Sequence, residues 1–256
     1  MNVGALALEL LDFFLPSVCI GCQDHISLER SADLVCQACR TRLREVPPPR
    51  CGRCGFPLGS KADHGDRCAE CSRWDEALSG ACSAVVLRPP ANRIVHGLKY
   101  GVWSELARFM GDRMVRWAIP PDLHAGRYVV VPIPTTKRRM RARGYNQARL
   151  LASALSGAVH NPLVDARERS GNSSTQVGLH PTQRRANVTG VFSVRADASA
   201  RVSGVRVLLV DDVLTTGSTA QAAALPLVRA GASQKYSSAR LPGLFPMFKT
   251  IDGCFA

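Results

Sequence analysis

Eight of the ten cysteines follow one spacing rule, and this repeat constrains the fold of the first part of the chain more than any other feature. Two Cys-x-x-Cys pairs separated by thirteen residues form a set, and the set occurs twice with a period of 32 residues. Because two such pairs can direct four thiolates at one ion, the spacing predicts two tetrahedral Zn²⁺ sites. The predicted ligands are Cys19, Cys22, Cys36 and Cys39 in the first set, and Cys51, Cys54, Cys68 and Cys71 in the second.

A disulfide framework is the alternative use of these cysteines, and it is typical of secreted chains. The apolar segment Met1–Leu15 lacks a basic start, contains Glu9 and Asp12, and is followed by no small-residue cleavage site, so it does not resemble a signal peptide. No segment has the ~20 apolar residues that a membrane span needs. We therefore expect a cytoplasmic chain with no membrane insertion, in which the cysteines bind zinc. Pairing within each set and a cross-braced pairing both fit the spacing.

Each predicted zinc site is closed, because four protein thiolates leave no coordination position for water or substrate. Such sites are structural rather than catalytic. The Pro47-Pro48-Pro49 run separates the two sets as a stiff spacer. We expect residues 1–80 to form an N-terminal helix and a double zinc ribbon, and residues 81–256 to form a second domain.

Positive charge is concentrated in the second part of the chain. Residues 1–80 contain 9 Lys and Arg against 11 Asp and Glu, whereas residues 81–256 contain the other 24 against 9. A strongly basic domain indicates a polyanionic partner, which means the phosphates of a small ligand, nucleic acid, or both.

Apolar periodicity changes after Ala81 to an alternation of strands and helices. Continuous β-branched runs are typical of strands that are buried on both faces, and the alternation predicts an α/β fold with a parallel sheet flanked by helices. The predicted strands are Ala84–Leu87, Tyr128–Ile133 and Val205–Val210, and the predicted helices are Asn92–Tyr100, Ser104–Trp117, Tyr145–Ser156 and Ser218–Arg229.

The most informative segment is the turn at residues 211–219, which joins the last of these strands to the last helix. Asp211 and Asp212 stand at the carboxyl end of the strand, where ligands bind in open α/β sheets. Gly217 allows close approach of the backbone, and helix-start N–H groups attract anions. Carboxylates beside a phosphate site suit a sugar phosphate, with ribose hydroxyls on the carboxylates. The residues predicted to hold the phosphate are Thr215, Thr216, Gly217, Ser218 and Thr219.

This segment resembles the phosphoribosyl pyrophosphate motif of type I phosphoribosyltransferases. The wider chain, from about Pro16 to Gly231, resembles the ComF family of bacterial competence-associated proteins, which join a zinc-ribbon module to such a domain. The other segments that carry the resemblance are Gly97–Tyr100, Val131–Pro134, Arg143–Gln147, Gln176–Leu179 and Arg184–Asn187.

The resemblance implies roles for individual residues. It implies that Asp211 and Asp212 bind the ribose hydroxyls, that the 211–219 turn binds the 5′-phosphate, and that Mg²⁺ accompanies the ligand, held mostly by ligand oxygens and water. It places pyrophosphate at Thr135, Thr136 and Lys137, and it implies a mobile loop at Ser170–Gly190 with Arg184 and Arg185 as the catalytic charge stabilisers.

Two functions remain open from the sequence. The first is a phosphoribosyltransferase, and the second is a non-catalytic scaffold or single-stranded-DNA-associated protein that uses the same fold and works with DNA-processing proteins. The basic run that starts at Lys137 fits either a pyrophosphate loop or a solvated or nucleic-acid-binding helix start. Few aromatic residues interleave with that run, so it lacks an evident base-stacking platform.

The chain departs from the family pattern after Gly231. The family places another apolar strand there, whereas residues 232–256 read as neither strand nor helix. A truncated or frame-shifted end and a tail ordered by a partner both fit this segment. Loss of the strand would expose one edge of the sheet.

Overall fold

The structure is a computed structural model that describes residues 17–26, 34–59, 68–101, 104–119, 127–169, 192–233 and 246–249. The helices are α1 (Gln37–Arg42), α2 (Ala91–Tyr100), α3 (Ser104–Trp117), α4 (Lys137–Arg143), α5 (Gln147–Val159), α6 (Ala196–Val202) and α7 (Ser218–Arg229). The strands are β1 (Cys82–Val86), β2 (Tyr128–Pro132), β3 (Arg167–Arg169), β4 (Phe192–Val194), β5 (Arg206–Val210), β6 (Val213–Leu214) and β7 (Pro246–Lys249).

Parallel pairing dominates the central layer, as the strand–helix alternation predicts. β2 pairs with β5 in parallel, from Tyr128 opposite Arg206 to Pro132 opposite Val210. β7 lies between β1 and β6 and is parallel to both. β3 and β4 form a separate antiparallel ribbon. The predicted α/β class is confirmed, with a parallel sheet, flanking helices and a zinc-ribbon module before them.

Alternate residues of the buried strands enter two different apolar layers, one on each face of the sheet. All five residues of β2 are buried. Val130 and Val210 belong to one layer, and Val131 and Leu209 belong to the other. This alternation follows from the two-residue period of a strand, and burial on both faces explains the continuous apolar runs in the sequence.

Each zinc ribbon packs into a different one of these layers. Cys19 and Cys39 of the first ribbon (residues 19–39) lie in the layer that holds α2, α3 and α5. Close approach is required there, because a Cβ on Gly97 of α2 would lie 2.8 Å from Ile20 Cγ2. The four cysteines of the second ribbon (residues 51–71) lie in the opposite layer, with α6 and α7. The two ribbons therefore support opposite faces of one sheet.

Most predicted elements agree with the structure to within about three residues at each end, but the tail differs. The prediction that residues after Gly231 contain no strand was wrong, since β7 forms at Pro246–Lys249. Its starting proline obscured it in the sequence, although proline is tolerated at the first position of a strand. The predicted helix at Met1–Leu15 and the predicted loop at Ser170–Gly190 lie outside the described residues.

Within the described ranges, no helix combines the length and the apolar character needed to cross a membrane.

Candidate functional site

The eight predicted cysteine ligands form two clusters, each built within one repeat. In each cluster, the four sulfur atoms lie within 4.8 Å of one another. The structure therefore selects pairing within each set over the cross-braced alternative. Cys22 and Cys36 Sγ are 3.7 Å apart, and Cys51 and Cys71 Sγ are 3.5 Å apart. A Zn²⁺ tetrahedron with Zn–S bonds of about 2.3 Å has edges of about 3.8 Å, so the clusters fit zinc. Disulfide sulfurs would be only about 2.05 Å apart.

Backbone N–H groups donate to the cluster sulfurs, as expected for thiolate ligands. In the first ribbon, the amides of Gly21 and Cys36 each lie 3.3 Å from Cys19 Sγ. Burial opposes ionisation of Cys19, but the backbone hydrogen bonds outweigh it and lower the pKa of this thiol to about 7. Gly21 is needed at its position, since a Cβ there would lie 2.8 Å from Cys39 Sγ. Both ribbons are thus built to hold a closed, structural metal site.

A second cluster of functional side chains lies where β2 and β5 end side by side. The pairing continues past the strands, because Ile133 N donates to Val210 O at 2.9 Å. The loop that contains Thr135 and Thr136 therefore starts beside Asp211. Parallel strands bring their carboxyl ends to one edge, which is the usual ligand edge of such sheets. The structure thus brings the two predicted ligand segments together.

The two aspartates at this edge differ in their surroundings. Asp212 is buried, and its Oδ2 lies 3.1 Å from Lys99 Nζ. Asp211 is half-buried, and its Oδ1 accepts a 2.9 Å hydrogen bond from Asp212 N. Removal from water, reinforced by the charge of Asp212, raises the pKa of Asp211 to about 8. In this pair, the charge of Asp212 is neutralised by Lys99, whereas the carboxyl group of Asp211 holds its proton unusually tightly.

The 211–219 turn has the shape of an anion cradle. Gly217 adopts a left-handed φ of 77° and caps α7, whose first N–H groups have no partner inside the helix. Thr216 Oγ1 and Ser218 Oγ are 2.8 Å apart on the outer side of the turn. Thr215 and Thr219 are exposed. Hydroxyl and amide donors of this kind suit a phosphate group.

The basic run after β2 forms α4, which is a surface helix. Thr136 caps it, and its hydroxyl oxygen accepts from Arg139 N at 3.1 Å. None of the seven residues of α4 is buried. A groove on the helix is lined by Lys137, Arg138, Arg141 and Ala142. Thr135 and Thr136 lie in the loop and Lys137 begins the helix, so the basic run itself is helical.

Three side chains that the sequence alone did not single out hold the elements of the site in place. Lys99 pairs with Asp212. Asn146 Nδ2 donates to Ile133 O at 3.1 Å, which fixes the start of the loop after β2. Tyr145 OH donates to Leu98 O and so ties α2 to the start of α5. All three lie in short segments that carry the family resemblance, and that was the available signal. Arg184 and Arg185 lie outside the described residues.

Comparison with known proteins separates the chain into two matched parts. Residues 10–83 match the double zinc ribbon domain, and residues 141–236 match the phosphoribosyl transferase domain. Among curated proteins, the chain is 28% identical over 243 residues to competence protein ComFC of Bacillus subtilis, covering 86% of this chain and 92% of that protein. It is 28% identical over 228 residues to DNA utilization protein YhgH of Escherichia coli K12, with 86% and 94% covered. It is 29% identical over 212 residues to competence protein F of Haemophilus influenzae, with 78% and 86% covered.

Proposed function

Because the chain belongs to the ComF family, we propose that it is a phosphoribosyltransferase-type protein that binds phosphoribosyl pyrophosphate with Mg²⁺. The observation that carries the proposal is the pair of adjacent loops at one sheet edge, with Asp211 and Asp212 beside a glycine-capped helix start. The carboxylates would accept hydrogen bonds from the vicinal ribose hydroxyls. A carboxylate has about four acceptor positions, so Asp212 can keep Lys99 and still bind a hydroxyl.

The proposed transfer needs charge and position more than it needs a nucleophilic side chain of the protein. Breaking the C1′–oxygen bond leaves positive charge on the ribose and sends negative charge into the departing diphosphate, and the electron pair of an acceptor substrate forms the new bond to C1′. The loop after β2 leads directly into Lys137 and Arg138, which would stabilise that leaving group. The carboxylates and the turn would hold the ribose in position from the opposite end. As the family resemblance implies, Arg184 and Arg185 are proposed to add positive charge that stabilises the transition state.

Calorimetric titration of phosphoribosyl pyrophosphate into the zinc-loaded protein tests this function. We expect Mg²⁺-dependent binding to the wild type and no detectable binding to the Asp211→Asn/Asp212→Asn variant, because the ribose would lose both carboxylates. A matched control is Asp165→Asn/Asp197→Asn, which removes the same charge from two surface aspartates paired with Arg149 and Arg195. Absence of binding to a folded, zinc-loaded wild type would refute the proposal.

Single-stranded DNA is a second candidate ligand, and one arrangement in the structure favours it. Tyr100 is 61% exposed, and the Arg143 guanidinium lies 4.8 Å from the centre of its ring. Tyr100 belongs to α2, so the structure supplies the basic helix α4 with an aromatic neighbour that its own sequence lacks. Basic side chains beside an exposed aromatic ring suit a phosphate backbone with stacked bases.

Oligonucleotide binding measured by fluorescence anisotropy at several salt concentrations tests this candidate. Replacing Arg138, Arg139 and Arg141 together by Gln should weaken binding and reduce the slope of log K against log salt, by about 0.7 for each phosphate that the protein no longer neutralises. The charge-matched control replaces the exposed Arg42, Arg108 and Arg116. Equal losses in both variants would show a diffuse charge effect and would eliminate α4 as a binding surface.

A further inference from the structure

The segment that directly follows the second zinc ribbon contacts the 211–219 turn through one aromatic side chain. Trp74 follows Cys71 by three residues and is 6% exposed. Its indole Nε1 donates to Thr216 O at 3.0 Å. Its ring lies so close to Gly217 that a Cβ at that position would be 2.5 Å from Trp74 Cζ2. The indole of Trp74 therefore packs directly against the turn at Gly217.

The hydrogen bond from Trp74 fixes the orientation of one particular peptide group. Thr216 C=O and Gly217 N–H belong to the same peptide plane, and in a trans peptide these two groups point in opposite directions. Pinning the carbonyl to the indole therefore directs the Gly217 N–H away from the ribbon. That amide is one of the helix-start donors available to an anion, so its direction matters for binding.

Trp74 itself is held by a buried arginine of the second ribbon. Arg53 is 8% exposed, which is unusual for a charged side chain. Its guanidinium donates to five backbone carbonyls and so uses all five of its N–H groups. The acceptors are the carbonyl oxygens of Cys71, Trp74, Asp75, Leu78 and Ser79. Because Arg53 lies between the ligands Cys51 and Cys54, the metal site and the segment that carries Trp74 form one unit.

A second contact joins the same segment to the first turn of α7. Asp75 N donates to Gln221 Oε1 at 3.0 Å. Gln221 N in turn donates to Gly217 O at 2.9 Å, which is the first bond of the helix. The segment after Cys71 thus contacts the turn before its glycine and the helix behind it. Two separate hydrogen bonds, one on each side of Gly217, set the position of the ribbon against the cradle.

We propose that Trp74 is a positioning residue for the phosphate-binding turn, and that the second zinc ribbon is for this reason part of the ligand site. The proposal rests on the proposed function, since the turn is assigned there to the 5′-phosphate. The first ribbon packs on the opposite face of the sheet, in the layer that holds α2, α3 and α5. The two zinc sites therefore differ in function: the second supports ligand binding as well as folding.

Two substitutions at Trp74 separate positioning from packing. Trp74→Phe keeps an aromatic ring but removes the indole donor, and we expect phosphoribosyl pyrophosphate to bind about 3–10-fold more weakly, as for the loss of one hydrogen bond. Trp74→Ala also removes the ring that packs against Gly217 and should weaken binding further. Trp117→Phe is the matched control, because Trp117 lies on α3 and its ring contacts Arg113. Unchanged affinity in Trp74→Phe would overturn the proposal.

Hydrogen exchange without ligand distinguishes failure of this inference from failure of the proposed function. Amides of residues 213–219 should exchange faster in Trp74→Phe than in the wild type, while amides of β2 keep their protection. If the wild type binds no phosphoribosyl pyrophosphate but Trp74→Phe still loosens the turn, the positioning role holds and the proposed ligand is wrong. If exchange in the turn is unchanged, Trp74 does not position it, whatever the turn binds.

Discussion

Replacing Asp211 by Asn should give a protein that is more stable than the wild type at pH 8 and that binds phosphoribosyl pyrophosphate about 100-fold more weakly. Asn has nearly the same shape, and its Oδ1 can still accept the bond from Asp212 N. It carries no charge, so it removes the penalty of holding a carboxylate beside Asp212 and away from water. The free energy of unfolding at pH 8 should therefore increase by roughly 1–2 kcal/mol. The loss in affinity corresponds to about 2.7 kcal/mol, within reach of charge-assisted hydrogen bonds.

The pH dependence of stability follows from the direction of the pKa shift. The pKa of Asp211 is raised in the folded protein to about 8, so the folded state keeps a proton that the unfolded chain releases above about pH 4. The contribution of Asp211 to the free energy of unfolding is therefore fully present below about pH 4 and is lost as pH rises to about 8. Asp211→Asn lacks this decline. Its stability advantage over the wild type should grow across that interval.

Chemical denaturation and thermal melting at several pH values between 4 and 8 measure this difference directly. The expected thermal shift at pH 8 is about 2–4 °C for each kcal/mol gained in a chain of this size. Asp165→Asn is the control, because Asp165 is a surface carboxylate paired with Arg149 at 2.9 Å. An Asp211→Asn advantage that stays constant with pH would contradict the assigned titration. A variant that is less stable at pH 8 would contradict the assigned environment.

Removal of one zinc ligand should have the largest effect on folding. Cys19→Ser and Cys51→Ser should each reduce the zinc content from two ions per chain to one, because each cluster uses all four of its thiolates. Structural zinc contributes about 10–16 kcal/mol in isolated zinc-finger peptides, far more than most single contacts. Each ribbon is continuous with one apolar layer of the sheet, so the loss should spread into the domain. We expect the melting temperature to fall by at least about 10 °C.

Zinc analysis and thermal melting of the purified variants test this expectation. Cys82→Ser is the matched control, since Cys82 lies outside both clusters and its thiol donates to Ala118 O, a bond that a serine hydroxyl can replace. It should keep two zinc ions and a melting temperature near that of the wild type. Full zinc content in Cys19→Ser or Cys51→Ser would show that the clusters do not each depend on four cysteines.

The sequence was sufficient to predict the parts of this protein that depend on local pattern. The cysteine spacing predicted both clusters, and burial on both faces made β2 and β5 visible as continuous apolar runs. Asp211, Asp212 and Gly217 were recognisable because a strand end, a carboxylate pair and a helix start follow one another directly. Each cysteine set spans 21 residues, and each of the other signals spans about a dozen residues or fewer.

Long-range contacts could not be read in the same way. Trp74 and Thr216 are 142 positions apart, and no local pattern in either segment indicates that they meet. Lys99 lies in a segment that carries the family resemblance, but only the packing of α2 places it against Asp212. The β3–β4 ribbon was missed because each strand has three residues, too few to show an alternation.

The central place of β7 has a consequence for how the protein is made. β1 is synthesised early and β6 much later, and in the part of the chain that the structure describes the two strands are joined through β7, which follows both in the sequence. On the ribosome, the zinc ribbons and the β2–β5 pair can assemble while the two neighbours of β7 still present open edges. Unpaired edges attract other strands, and emerging domains are vulnerable during that interval. A nascent chain would therefore need protection from its neighbours until residues 246–249 have emerged.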